Sequence, residues 1–550
     1  MKDTEFNLID ERWIRVIDKK CDIAELSLNE LFRDAHLYAD LCGELPTQDI
    51  AVMRILLAIP HTVIARYTPE GDRVDTETAD DAIDRWKDIW DNGSFPSGVI
   101  DKYLDSVKDR FWLFHPVYPF MQEPLAKYGT KYTASKLNGE LSESNNKDRL
   151  FRMFSGKDKD ILTMPQAARW LLYVNAFDDT SAKPSSLSRS RKIKYDSPGA
   201  GWLGKLGLIT LRGRNLFETL MLNLVIPADR EDAEVNRQTP SWERERYIPD
   251  DAEDVCIERV ERVRIVQPDN LAELYTLQSR RILLERNEDG ITGCSLLGGE
   301  FFERENAFIE PMTVWRDSGN KKKDIYTPRR HDPSKQFWRE FASVYPESDT
   351  THRRPGVISW FALLMDYELI PDGYRLDTRI CSVQYGDKDF FVTDVFSDSL
   401  SMSGELISEM ALPWQACVTE SIMITDRVAD VLGKLAREIF LAGGGDTESA
   451  STSVRKAKAE YYFDADEEFR KWLAGIDPGA DRVVEKKRDW QEKTMKLAAN
   501  LGRKMVNEAG AGAIIGRVVN INDNEIMFSA AKAENNFYYR LAQIKGREVR

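Results

Sequence analysis

The stretch VTESIMITDRVADVLGKLAREIFLA, Val418–Ala442, carries apolar residues at Val418, Ile422, Val428, Leu432, Leu435 and Ile439. That is one stripe at helical spacing, and Gly443–Gly445 stops it. Three more segments of the same style follow, at roughly 450–475, 478–508 and 528–546. GIDPGADR separates the second from the third, and EAGAGA follows the third. Four long amphipathic helices with short connections predict a C-terminal four-helix bundle, spanning 399–550.

Upstream the style changes, and residues 1–398 read as a large mixed α/β domain, so the fold class is α+β. FNLIDERWIRVI followed by CDIAELSLNELF predicts a short hairpin leading into a helix. Helical periodicity marks Thr47–Tyr67, and Pro165–Asp178 places a proline at a first-turn position that tolerates it. RRILLER and GITGCSLLG flank an Asn287–Gly290 turn, and Cys381–Phe396 is a second hairpin with its turn near Gly386–Lys388.

The chain has 550 residues, of which 42% are hydrophobic and 10% aromatic, enough for a substantial core. A formal charge of −15 argues against a protein that coats nucleic acid indiscriminately, but leaves room for a local basic patch. The opening residues lack the pattern of a signal peptide, and no run approaches the ~18 apolar residues of a membrane span. The six cysteines form no CxxC pair, which points to a reducing cytoplasm and to no thiolate metal site.

Two basic runs stand out against this acidic background. KPSSLSRSRKIK, Lys183–Lys194, holds five cations (Lys183, Arg189, Arg191, Lys192, Lys194) and no carboxylate. It leads into SPGAGWLGKLG, where Gly199 and Gly201 flank Ala200 in a turn that lets backbone N–H groups approach a ligand. KKKDIYTPRRHDPSKQFWR, Lys321–Arg339, has seven cations, two acids and the interleaved aromatics Tyr326, Phe337 and Trp338. Both runs read as loops suited to phosphate and base contact. NNKDRLFRMFSGKDKD, Asn145–Asp160, mixes Phe151, Met153 and Phe154 with cations in the same manner. The search for catalysis is thin. His331–Asp332 is an HD dipeptide of the kind metal-dependent phosphohydrolases use, without further ligands at helical spacing, and Walker A, HExxH and GxSxG are missing. A binding protein without cofactor or metal is the favoured reading. An HD-type phosphohydrolase and a helical adaptor without DNA contact are the alternatives.

Eight segments, in order, carry a resemblance to one family. They are NLIDERWIRV, HPVYPFMQ, PGAGW with LRGRNLFETLMLNLV, RQTPSW, YTLQSRRILL, IEPMTVWR, VQYGDKDFFV and AEYYFDADEEFRKWL. Together they resemble the CasA family, large subunits of the type I-E CRISPR surveillance complex called Cascade. The resemblance implies a non-enzymatic subunit that recognises the protospacer-adjacent motif in double-stranded DNA and helps open the duplex for guide-RNA pairing. It also implies contacts with the other Cascade subunits, backbone and small, and recruitment of a helicase-nuclease. Carried onto this chain, the guide-RNA and subunit docking loop is Leu150–Phe154, with Phe151, Arg152 and Met153 as its best matches. The glycine loop falls at Gly199–Gly201 or in Lys183–Ser186, which brings in Lys183 and Ser185. The lysine role falls to Lys321, Lys322 and Lys323 or to Arg316. The wedge is the tip Gly386, Asp387, Lys388 and Asp389. Some relatives carry glutamine at the wedge; here Gln384 lies earlier and Lys388 is the substitute.

Overall fold

The computed structural model describes residues 3–547, except 74–77, 144–146, 149–159, 182, 188–192, 197–198, 227–237, 245–266, 320–324, 346–352, 409–410 and 522–523. The chain divides into two compact units. The first comprises Met1–Pro333, Thr350–Phe361 and Asp377–Ser399; the second comprises Ser334–Asp349, Ala362–Leu376 and Leu400–Arg550.

In the first unit the strand Ile14–Asp18 pairs with Ile23–Leu26 on one side and Tyr38–Leu41 on the other. The hairpin leads into helix Leu28–Asp34, started by a Ser27–Glu30 capping box. Helix Pro46–Arg66 is buried on nearly all sides. It corrects the expectation that no segment approaches membrane length: by length and composition it is long and apolar enough to span. Yet 94% of its most apolar stretch is buried inside the protein, which makes it a core helix. Helix Met164–Phe177 starts at a Thr163–Gln166 capping box with Pro165 in its first turn, as the sequence predicts.

The two predicted hairpins are both present. Arg280–Asn287 pairs with Gly290–Gly298, which in turn pairs with Thr130–Thr133. Leu208–Arg212 runs antiparallel to Arg375–Tyr385, with Leu208 opposite Cys381, and that strand turns at 386–391 into Val392–Ser403.

The second unit contains the predicted bundle, as helices Leu412–Ala442, Ala450–Ala474, Val483–Asn507 and Ala530–Arg547. The first starts six residues before the stripe, because Leu412 and Pro413 supply a first turn that needs no N–H donor. Val418, Ile422, Val428, Leu432 and Leu435 are buried, and Ile439 packs at the edge of a smaller cluster around Leu441 and Phe528. Trp490 sits at the centre: its indole N–H donates to Thr425 Oγ1 at 2.9 Å and its ring meets Phe469 edge-on at 4.8 Å.

One element of the bundle lies outside the sequence expectation. Between the third and fourth long helices, Arg517–Ile521 and Asn524–Phe528 form a hairpin, so that connection is longer and more structured than expected. A second correction concerns Phe337 and Trp338, read as aromatics beside cations. Both are fully buried in this unit, where Trp338 stacks on Phe469 at 4.3 Å and donates to Asp466 Oδ1 at 2.8 Å. They are core anchors, unable to stack on a base.

Candidate nucleic-acid interface

The described parts of both basic runs include hairpin strands where the sequence suggested loops. Lys183–Leu187 pairs antiparallel with Ile193–Asp196, with a register shift between Lys194 and Tyr195. Lys183 and Ser185 are on the first strand of this ribbon and Lys194 on the second, while Arg189, Arg191 and Lys192 lie outside the described residues. Val314–Asp317 pairs with Tyr326–Arg329, placing the exposed Arg316 opposite Thr327. Lys321, Lys322 and Lys323, between these strands in sequence, fall outside the described residues, as do Phe151, Arg152 and Met153.

The base of the ribbon is held by buried charge. Arg280 Nε donates to Asp178 Oδ2 at 2.5 Å, and Nη2 donates to the carbonyls of Asp179 at 2.9 Å and Gly199 at 2.6 Å. One guanidinium thus grips the chain as it enters the ribbon and as it leaves. Lys136 Nζ pairs with Asp178 at 2.9 Å and Asp179 at 2.6 Å. Burial pulls the Lys136 pKa down, but the two carboxylates more than offset this and hold it above the ordinary lysine value.

Glycine is required at 201 for close backbone approach. A Cβ there would sit 2.3 Å from the Ala176 carbonyl oxygen, and Gly201 N donates to Asp178 O at 2.9 Å. Ala200 is only 4% exposed and Gly201 is buried. Gly199, with φ +71°, is partly exposed. Trp202, next in line, donates its indole N–H to Glu310 Oε2 at 2.7 Å. Glu310 also accepts both Arg54 Nη atoms at 2.9 Å and the Met312 N–H at 3.1 Å. Arg54 and Glu310 are essentially inaccessible, so removing either would strand the other's charge.

The tip of the 375–403 hairpin comes to the same place. Gly386 N donates to Phe391 O at 2.8 Å, closing the turn, and Lys388 and Asp389 have φ +52° and +60°. Left-handed backbone at a residue with a Cβ costs about 1–2 kcal/mol, so the conformation must be held from outside. Thr180, three residues before Lys183, does so. Its N–H donates to Asp389 O at 3.0 Å and its hydroxyl to Lys388 O at 2.7 Å. Arg330, directly after the second basic hairpin, meets Asp389 through two 2.8 Å bonds and donates Nε to Gly204 O at 2.7 Å. Asp387 and Lys388 are exposed, and Phe390 is 46% exposed. Sequence reasoning passes over Phe390; its signal is an aromatic inside a turn of charged residues.

The HD dipeptide is built into backbone structure. His331 is buried, its Nε2–H donates to the Leu208 carbonyl at 3.0 Å, and its N–H donates to Ser382 Oγ at 3.4 Å. Among the described residues no group of three or more His, Cys, Asp or Glu side chains could hold a metal ion.

Comparison with known proteins places this architecture. The family described as CRISPR-associated protein Cse1 matches residues 7–501, and the chain belongs to that family. A curated relative from Thermus thermophilus, "CRISPR-associated protein CasA/Cse1", is 30% identical over 345 residues, covering 62% of this chain and 60% of the relative. That match therefore spans under two thirds of the relative's length. The crystal structure of Thermobifida fusca Cse1 is similar over 98% of both chains, at 30% identity and a TM-score of 0.79. A chain of a structure titled "CRISPR RNA-guided surveillance complex" shares the fold at 16% identity and TM-score 0.64, over 91% of this chain and 98% of its own.

Proposed function

We propose that this chain is the large subunit of a CRISPR RNA-guided surveillance complex and works as its sensor for double-stranded DNA. The single observation that supports this most is convergence. The two basic hairpins and the strained tip, far apart in sequence, meet through Thr180, Arg330 and Asp389 in one unit. Family membership and the fold shared with a surveillance-complex chain favour the same assignment.

In this reading the cations of Lys183–Lys194 and Lys321–Lys323, with Arg316, first attract the duplex through its phosphates, independently of sequence. Lys183, Ser185 and Gly199 on the ribbon side, with one cation of the second hairpin, then test the protospacer-adjacent motif. The edge they test is that of the minor groove, whose degenerate pattern predicts tolerance of several related motifs. The tip Gly386–Asp389, with Phe390 beside it, unstacks the first base step, which costs a few kcal/mol that motif contacts and guide-RNA pairing offset. Phe151, Arg152 and Met153 dock toward the guide RNA and neighbouring backbone and small subunits. The subunit also offers a surface to a recruited helicase-nuclease, which performs the bond breaking in the cytoplasm; this subunit performs none. The acidic remainder, giving the chain its net −15, limits residence on unrelated DNA.

The test is charge reversal of Lys321–Lys323 and, separately, of Arg189–Lys192 in the assembled complex. Assembly should be intact and target binding should weaken. The slope of log K against log salt should become shallower by about one unit for each phosphate no longer neutralised. Target affinity unchanged by both reversals would overturn the reading in favour of an adaptor without DNA contact.

A further inference from the structure

We propose that Thr180, Asp389 and Arg330 form a latch of positioning residues that couples the grip of the two basic hairpins to the conformation of the 386–391 tip. The inference rests on the functional reading above and adds to it a mechanical link between holding a duplex and opening it.

The latch is asymmetric in a way that assigns it this task. The tip's two left-handed residues, Lys388 and Asp389, present their carbonyls to a single residue, Thr180, which supplies both a backbone and a hydroxyl donor. Thr180 stands between the Asp179 carbonyl gripped by Arg280 and the first strand of the basic ribbon. A pull on the ribbon therefore bears on the peptide groups that set the tip's φ angles. From the other side, Arg330 continues directly from the strand Tyr326–Arg329 and holds the Asp389 carboxylate with a two-pronged contact. Its guanidinium lies 4.7 Å from the Tyr385 ring centroid, and the Tyr385 hydroxyl donates to Phe177 O at 2.6 Å. Gly204 leaves room for this stack, since a Cβ there would sit 2.1 Å from the Tyr385 hydroxyl oxygen. The second basic hairpin thus reaches the same residue, Asp389, through its side chain. A tip built only for stability would use glycine at its left-handed positions; here Lys and Asp hold them, and outside bonds keep them there.

The experiment uses the assembled complex with Thr180→Val, Arg330→Gln and the double variant. Each is measured on an intact target duplex and on the same target with its first base steps already mismatched open. Opening is followed by 2-aminopurine fluorescence at the first step beside the motif. We expect affinity for the pre-opened target within about twofold of wild type, and opening of the intact duplex slowed by about tenfold, the effect of losing one or two such bonds. The double variant should be no slower than the slower single, because the tip is held only while both arms grip Asp389 and losing either one releases it. Equal losses on both targets would mean a merely structural role and overturn the latch, as would opening at the wild-type rate or multiplicative effects in the double variant. A wild-type complex that binds neither DNA would overturn the functional reading itself, and the latch with it. Thermal unfolding of each variant identifies a folding failure; for a variant that fails to fold, Asp389→Asn takes its place, keeping the carbonyl acceptors while weakening the Arg330 contact.

Discussion

The base of the ribbon and the four-helix bundle hold their shape by opposite means. In the bundle, order comes from repetition: one apolar stripe per helix, a central Trp490, and surface pairs such as Lys471 with Glu467 that rest in solvent. At the ribbon's base it comes from a few buried ions, each with several partners. Arg280 alone serves the Asp178 carboxylate and the carbonyls of Asp179 and Gly199. Repetition tolerates substitution because neighbouring layers share the strain, whereas a hub does not. The difference matches the proposed division of labour, since a reading loop needs a fixed stem and a scaffold needs a robust one.

Five measurements put this contrast to the test. Arg280→Met should have the largest effect, about 3–5 kcal/mol of local stability, because it leaves Asp178 buried with Lys136 as its remaining charge partner. Hydrogen exchange at the amides of 178–180 and 199–203 would record it. The core helix of the same unit should also carry an acid sensitivity. Burial pulls the His61 imidazole pKa down to about 3, so its neutral form is the folded one. Stability from this group is complete above the ordinary imidazole value of about 6.5 and is lost as pH falls toward 3, about 3 kcal/mol by pH 4. Amide exchange across 46–66 should show that slope, and His61→Gln should remove it. Gly201→Ala should cost about 1–3 kcal/mol, because its methyl would meet the Ala176 carbonyl; thermal unfolding checks it.

Bundle substitutions should be milder. Thr425→Val leaves the Trp490 indole N–H without its acceptor and should cost about 1–2 kcal/mol, read from the denaturant midpoint of the bundle. Lys471→Ala, at an exposed pair, should leave the melting temperature unchanged. A bundle more fragile than the ribbon's base would invert the comparison.

The same contrast explains what can be read from sequence. The bundle is legible because its signal is periodic and local: the stripe from Val418 to Ile439 specifies its helix without help from elsewhere. The 280–298 and 375–403 hairpins are legible through their turns. The hairpin at 517–528 escapes the sequence reading, although its β-branched run Val518–Val519 and the sequence NDN after Ile521 are available signals. Glycine at 201 is ambiguous in principle, since close approach to a ligand and close approach to Ala176 demand the same residue. Trp338 misleads because a cation-rich neighbourhood says nothing about which way an aromatic faces. Thr180 and Arg330 carry no local signature at all; their importance comes from meeting a tip more than 50 residues beyond Arg330.

The Arg54–Glu310 pair has a consequence for biosynthesis. The partners are 256 residues apart, and the Trp202 indole waits on the same carboxylate. At ribosomal speeds of about 5–20 residues per second, roughly 13–50 s pass between emergence of the arginine and arrival of its counter-ion. Through that interval the nascent chain carries an uncompensated cation on a long core helix, so a truncated product ending before Glu310 should be a substrate for chaperones and proteases.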